Sequence, residues 1–350
     1  MTEKKAIGMA CALGAVVLLL MIIVLRPFSR FEEQYPMTDA SGVSGGAVSG
    51  AGSSGDGFVN GDGSSNASSD AANPGDDASS PANPDAAANV KSKSATGISL
   101  VDAAGNTLET RVLTPSGFKR TAEKEGSLGT FLRGYKLKKD GSPVKLYNKK
   151  LKSDQNAHVA VFKLPLEKED LQQCADSVMR VYAEYFRSRD EASRISFSLT
   201  DSFKASYQRW REGMRIIENG DSFEYVDRAE FDGSDAAYKK FMRIVFAYSG
   251  TYSLETDSKK VKKLSSVKIG DIFLQSGSPG HVVMVVDTCK DDSGRKAFLL
   301  AQGYMPAQQF HLLKNPAHAD DPWYYVDEVS FPFKTPEYTF DKMCLRRPVY

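Results

Sequence analysis

From Leu171 to Tyr185 apolar residues recur every three or four positions: Leu171, Cys174, Val178, Val181 with Tyr182, and Tyr185. That is the spacing of one helix face. Glu167, Glu169 and Asp170 lie near its expected start, where a helix dipole favours negative charge. The same periodicity predicts helices over 203–214 and 236–248, the second strongly amphipathic through Tyr238, Phe241, Met242, Val245 and Phe246. On either side of this helical middle the pattern changes to short apolar runs bounded by turn residues. Before it, 98–101 and 107–112 read as a hairpin about Ala103-Ala104-Gly105-Asn106, and 131–135, 144–147 and 158–162 read as short strands. After Gly250 come strands over 272–274, 282–287 and 297–302, with Lys290-Asp291-Asp292-Ser293-Gly294-Arg295 as the hairpin tip between the last two. The expected fold class is α+β, with central helices followed by an antiparallel sheet, in one globular domain over 96–350.

The segment ahead of that domain has a different pattern. Lys4 and Lys5 precede an apolar, uncharged run over 6–25, and Arg26 and Arg30 follow it. About twenty such residues match the bilayer core at helical rise. No small-residue cleavage site follows Leu25, where Arg26-Pro27-Phe28 stands. The expectation is an uncleaved single-pass anchor over 6–25 with residues 1–5 as a cytoplasmic tail. Lys and Arg are balanced, two on each side, so charge does not set the orientation. A short N-terminal tail and a long C-terminal domain place the domain outside the cytoplasm by expectation. Residues 26–95 consist largely of Gly, Ser, Ala, Asp, Asn and Pro, with no Lys or Arg between Arg30 and Lys91. Such a segment buries too little apolar surface to offset its ordering entropy. It is expected to be a disordered linker, with a span of roughly 40 Å root-mean-square for about sixty residues.

Charge narrows the partners. The chain nets +1, but from Lys91 onward it carries 41 Lys and Arg against 34 Asp and Glu. A mildly basic domain tolerates an anionic surface. Its basic residues are scattered, without arginine–aromatic alternation, so nucleic acid is not an expected partner. The expected partners are the membrane, through the N-terminal helix, and an envelope polymer such as peptidoglycan. The domain has three cysteines, too few for a disulfide scaffold; Cys289 and Cys344 are candidates to pair, which leaves Cys174 free. No two histidines lie three to five residues apart, so no metal site is expected, and nothing points to a cofactor.

The chemistry-bearing residues fall in three places. His281 stands in Pro279-Gly280-His281-Val282-Val283-Met284-Val285-Val286-Asp287, at the mouth of an apolar strand, where its ring is expected to face solvent. Cys174 lies on the first domain helix, in Gln172-Gln173-Cys174-Ala175-Asp176-Ser177. Gln302 closes the next strand, so the hairpin returns it beside His281. A thiol nucleophile needs a base, and the base needs a third group to fix its tautomer and ring angle.

This layout, with Gly270-Asp271-Ile272-Phe273 and Gly280-His281-Val282, resembles the NlpC/P60 and amidase branch of papain-like cysteine hydrolases. Two features depart from that pattern. No Gly, Pro or Ser precedes Cys174, which puts the cysteine one or two turns into its helix, and Gln302 stands where histidine is commoner. Over 97–347 the chain is similar to an uncharacterised family of anchored or lipid-modified bacterial envelope proteins. The residues that carry this similarity are Asp170-Leu171-Gln172-Gln173-Cys174-Ala175-Asp176, Gly280-His281-Val282-Val283 and Leu300-Ala301-Gln302-Gly303-Tyr304-Met305-Pro306-Ala307-Gln308.

The first resemblance implies a papain-like core in which Cys174 is the nucleophile, His281 the base and Gln302 the orienter. Gln173 would lie near the oxyanion, with Tyr304 and Trp323 against a substrate that is an envelope amide such as peptidoglycan peptide. Other readings stand beside it. On the apolar face with Leu171 and Val178, a free cysteine ordinarily behaves as a small hydrophobe. The domain would then be a non-catalytic envelope-binding module, holding glycan, peptide or lipid through Trp323, Tyr304 and Tyr324, or would have a purely structural role. His158, at a strand start, is the competing base, and His311 and His318 are expected to be exposed in a Pro- and Asn-rich loop.

Overall fold

The computed structural model describes residues 99–278, 280–341 and 344–350. The expected anchor over 6–25 and nearly all of the expected linker over 26–95 lie outside them, as does the start of the expected first strand. Among the described residues no helix is long and apolar enough to cross a membrane.

In chain order the elements are α1 (Leu108–Arg111), β1 (Lys119–Arg120), α2 (Leu128–Arg133), β2 (His158–Val161) and α3 (Cys174–Arg187). There follow β3 (Ser196–Ser198), β4 (Lys204–Ser206), α4 (Tyr207–Arg211), β5 (Met214–Asn219), β6 (Ser222–Asp227), α5 (Asp235–Tyr248), α6 (Thr251–Thr256) and β7 (Ser258–Lys260). The last part is β8 (Ile272–Gln275), β9 (His281–Lys290), β10 (Lys296–Gln302), β11 (His311–Leu313), β12 (Tyr324–Tyr325), β13 (Phe333–Lys334), β14 (Thr339–Phe340) and β15 (Leu345–Pro348). The fold is mixed α/β, with few helices and a large antiparallel sheet.

That sheet runs β2-β11-β10-β9-β8-β15-β7, with β1 also paired to β9 and β12 to β10. Its centre is β9, buried along nine of its ten residues because it is covered on both faces. Side chains alternate across a strand. Val282, Met284 and Val286 pack into the larger core with α3 and α5. Val283 and Val285 face a smaller core with Phe273, Phe298, Phe333 and Phe340. Cys289 belongs to the first core and Cys344 to the second, so the sheet separates them. All three domain cysteines are free thiols, so the candidate 289–344 pairing is not made.

Several local expectations are corrected by capping and turn chemistry. The second arm of the expected first hairpin, 107–112, is the helical turn α1, with Val101 and Val112 joined by an isolated bridge. Thr107 accepts from the amide of Thr110 and caps it. Residues 131–133, expected as strand, belong to α2, where Ser127 accepts from the Thr130 amide at 3.2 Å. The helix expected over 203–214 is divided into β4, the five-residue α4 and the start of β5. A Gly220-Asp221 turn then returns the chain as β6, with Gly220 at φ +63°. The strand pairing, from Met214 opposite Asp227 to Asn219 opposite Ser222, overrides the helical spacing there.

α3 begins later than the apolar spacing indicates. Leu171 and Gln172 lie in a turn, where the Gln173 amide donates to Leu171 O at 2.9 Å and Gln172 Nε2 donates to Pro165 O at 2.9 Å. Gln173 is extended at the N-cap, and its amide also donates to Asp176 Oδ2 at 3.0 Å. Cys174 is therefore the first helical residue, not one inside an established helix. α2 and β1 are fastened to the sheet by Asp287, which accepts from Arg120 Nε at 2.7 Å and Arg133 Nε at 2.8 Å.

Candidate active site

Because α3 starts at Cys174, the thiol lies beside backbone amides that have no partner within the helix. The amides of Ala175 and of Cys174 itself face the sulfur from the helix, and the amide of Val282 faces it from β9. Val282 follows His281, so the helix start and the strand mouth meet at the sulfur. The amides favour thiolate, but burial opposes it more strongly. Burial, then the Asp176 carboxyl, push the Cys174 thiol up to about 12. Burial also holds Asp176 well above the ordinary carboxylate range.

On the sheet, β9 and β10 are antiparallel neighbours, and His281 Nε2 lies 2.8 Å from Gln302 Oε1. The next bond fixes the amide's orientation. Gln302 Nε2 donates to Glu337 Oε2 at 2.8 Å. A carboxylate oxygen only accepts, so the amide nitrogen must face Glu337 and the amide oxygen must face the ring. His281 Nε2 therefore carries its proton, and Nδ1 of the neutral imidazole is left bare, the form a general base requires. Burial, opposed by the Gln302 bond and by Glu337, lowers His281 to about 4, so the ring is neutral at pH 7.

Glu337 is anchored on its far side. Lys152 Nζ approaches Oε1 at 2.5 Å, and His311 Nε2 lies 3.7 Å from Oε2. Burial raises the Glu337 pKa, but the bonds from His311 and Lys152 outweigh it and hold the carboxyl below its ordinary value. The turn that carries Glu337, between β13 and β14, lies over the site. Tyr338 and Phe340 approach the His281 ring at 4.9 and 6.0 Å between centroids, and Tyr304 closes from another side at 4.6 Å. As a result His281 is 2 % exposed and Cys174 5 % exposed. The strand mouth is roofed by this strap, contrary to the expected solvent-facing ring. His281 makes no hydrogen bond to the thiol among the described residues.

The structure thus brings Cys174, His281 and Gln302 together, with Tyr304 against the imidazole. Gln173 is half-buried beside Cys174, and its Nε2 donates to Asp170 Oδ1 at 3.2 Å. Trp323 does not join them. It is fully buried, and its indole N–H donates to Leu113 O at 2.8 Å, so it offers no face to a substrate. Tyr324 is likewise core, stacked on Phe298. His311 is fully buried at the start of β11, against the expected exposed loop, while His318 pairs with Glu328 at 2.5 Å. His158 Nε2 lies 3.2 Å from Ser142 O, and its ring stands 6.0 Å from that of His311. Glu337, Tyr338, Phe340 and Lys152 had no sequence signal. Pro336-Glu337 reads as a turn, but nothing in it says which surface the turn covers. Among the described residues no group of three or more His, Cys, Asp or Glu is placed to hold a metal ion.

A family model described as Domain of unknown function (4846), DUF4846, matches residues 108–347. The chain belongs to this family. The matched span contains every residue of the site, so Cys174, His281, Gln302 and Glu337 are parts of the DUF4846 domain itself. No curated protein and no solved structure matches the chain.

The low pKa of His281 has a consequence for the stability of the DUF4846 domain. The ordinary histidine value is 6.5 and the folded value about 4, so between these limits the unfolded chain takes up a proton that the folded chain refuses. The stabilisation is whole above pH 6.5 and declines as pH falls toward 4, by an order of about 3 kcal/mol for this one group. Urea unfolding at pH 7 and pH 4.5 is expected to show that loss in the natural protein and a clearly smaller one in His281→Gln. Equal losses would mean the imidazole is hydrated in solution.

Proposed function

We propose that the DUF4846 domain of this chain is a cysteine hydrolase of the papain-like, NlpC/P60-like kind, using Cys174, His281 and Gln302 on an amide. The observation that carries this reading is the oriented chain Glu337–Gln302–His281, which leaves Nδ1 bare on the residue before Val282, whose amide meets the Cys174 sulfur at the helix start. In the reaction the thiol proton passes to Nδ1, and sulfur attacks the amide carbon. The carbonyl oxygen takes up negative charge near the free amides of the helix start, a placement that lowers the barrier. Collapse breaks the C–N bond, and the imidazolium returns its proton to the leaving amine. The acyl group remains on Cys174 as a thioester. Water then attacks it, giving a proton to His281, and the acid departs as thiolate is released and reprotonated. Gln302 carries no charge in either step; it keeps Nε2 protonated and the ring aligned.

The uncharged run over 6–25 and the polar segment after it support a membrane-tethered domain outside the cytoplasm. An amide of the cell envelope, such as a peptidoglycan peptide bond, is then the substrate within reach. A second reading is favoured by burial. Thiol and imidazole both lie under the strap as neutral groups, which suits a non-catalytic module that keeps the fold and binds glycan, peptide or lipid.

Alkylation of Cys174 by iodoacetamide against pH, followed by mass spectrometry of the modified peptide, separates the two. Opening of the strap and the acidity of the opened thiol together set the rate and its pH midpoint, so each variant is read against the natural protein. The hydrolase reading expects a midpoint clearly below the free-thiol value of about 8.5, moved up by His281→Ala and partly by Gln302→Ala. A midpoint at or above that value and indifferent to His281 would overturn it and leave the binding module.

A further inference from the structure

The far end of α3 borders a second feature, unconnected with the thiol. A cavity of about 440 Å³ opens between α2, the C-terminal turn of α3 and α4. Cys174 starts α3 and Arg187 ends it, so fourteen residues at helical rise put the cavity roughly 20 Å from the sulfur. Its volume lies in the range of small-molecule sites.

The hydrogen-bonding inventory of its walls is one-sided. Arg187 is paired with Asp235, and Glu184 accepts from Tyr238 Oη at 3.2 Å and faces Arg180 at 3.7 Å. Arg211 has no ion pair and no side-chain hydrogen bond among the described residues, and its Nε is buried without a partner. Its guanidinium lies 5.2 Å from the Phe231 ring centroid and 5.9 Å from that of Tyr207. The backbone supports it from behind: the Asp232 amide donates to Arg211 O at 2.8 Å, and a Cβ at Gly233 would come within 3.3 Å of Nη2. Tyr135 and Tyr207 also line the cavity, and their hydroxyls have no hydrogen-bond partner among the described residues. Burial raises both phenols, Tyr135 to about 12, so both remain donors. Against these donors stand two carboxylates without an ion pair among the described residues: Asp190, exposed at the rim, and Asp232, whose charge acts on the Tyr207 phenol. Phe231, 62 % exposed, leaves an aromatic face open beside the guanidinium.

A planar guanidinium packed by rings and free along its edge is suited to a bidentate bond with a carboxylate or phosphate. We infer that this cavity is a binding site for a small organic anion, in which Arg211 takes the anionic group, Tyr135 and Tyr207 donate to it, and the apolar part lies on Phe231. The site is separate from Cys174 and stands or falls independently of the hydrolase reading.

The test is titration of the full-length protein with benzoate and with phenyl phosphate, read by calorimetry and by fluorescence of Trp210, the neighbour of Arg211. Binding of at least one probe at millimolar concentration is expected. Arg211→Ala should weaken it at least about tenfold, the factor that corresponds to 1.4 kcal/mol. Arg211→Lys should recover only part of the loss, because an ammonium cannot bond bidentately. Tyr135→Phe removes one hydroxyl without disturbing packing and should weaken binding by a smaller factor in a protein of unchanged circular dichroism. Preference between the two probes distinguishes a carboxylate ligand from a phosphate ligand. If neither probe binds the natural protein, or if Arg211→Ala and Tyr135→Phe bind as well as the natural protein, the inference is wrong.

Discussion

Glu337→Ala is expected to speed Cys174 alkylation at least about tenfold at pH 7. In the strap that covers His281 and Cys174, the Glu337 carboxylate meets Lys152, Gln302 and His311, beside the packing of Phe340 in the second core. Removing it leaves Lys152, 7 % exposed, without its counter-ion. Breaking a buried pair from one side costs about 3–5 kcal/mol. Here the cost falls on the closed position of the strap, and even about 1.4 kcal/mol of it opens the site tenfold more often. The backbone positions of His281 and Gln302 should stay, because they sit on β9 and β10, whose pairing does not involve the strap. Glu337→Gln keeps an acceptor for Gln302 but loses the charge, and its rate should lie between the two. An unchanged rate in Glu337→Ala would show that reagent reaches Cys174 by another route. A raised midpoint would instead show that Glu337 is needed to keep Gln302 turned toward the imidazole.

The largest loss of stability is expected at Asp287→Ala, about 3–5 kcal/mol. Its side chain is fully buried and accepts from Arg120 and Arg133, themselves 16 % and 10 % exposed, and from the Thr288 amide. Alanine would leave two guanidinium groups facing a wall of the sheet with no anion between them. Arg120 would still donate to Val112 O and Arg133 to Thr288 O, so the groups would stay buried and could not escape to water at low cost. A domain of ordinary stability has about 5–15 kcal/mol to lose, so the variant should unfold at a much lower urea concentration. The exposed pair Lys119–Asp292 is the control: both side chains are more than three-quarters exposed, and Asp292→Ala should leave the midpoint unchanged within error. A loss below about 1 kcal/mol at Asp287 would mean that water enters the closed packing and pairs the arginines.

How far the site could be seen in advance differs from residue to residue. His281 and Gln302 were legible because each closes or opens a strongly apolar run. A two-stranded hairpin with a short tip leaves little choice about which ends meet. Cys174 was legible as a thiol on a helix, but its position at the first turn was not. Helical spacing continues back through Leu171, and only the Gln172–Pro165 bond and the Asp176 cap show where the helix starts. Trp323 had the composition of a binding residue and is core, because an indole whose N–H finds a backbone carbonyl can be buried entirely. Glu337 was invisible: a turn glutamate carries no signal of the imidazole it will support.

By itself the sequence determined the elements whose pattern is local and strong: α5 from its amphipathic stripe, β8, β9 and β10 from unbroken apolar runs, and hence a helical middle followed by an antiparallel sheet. Hydrophobic periodicity is written in neighbouring residues, so it survives without knowledge of the fold. The tertiary structure alone decided the rest. It turned two expected strands into capped helical turns, set Cys289 and Cys344 on opposite faces of the sheet, and laid the 335–340 strap over His281. Those outcomes depend on contacts between residues far apart in the chain, some of them as distant as Lys152 and Glu337, and burial and charge pairing are properties of such contacts rather than of any one segment.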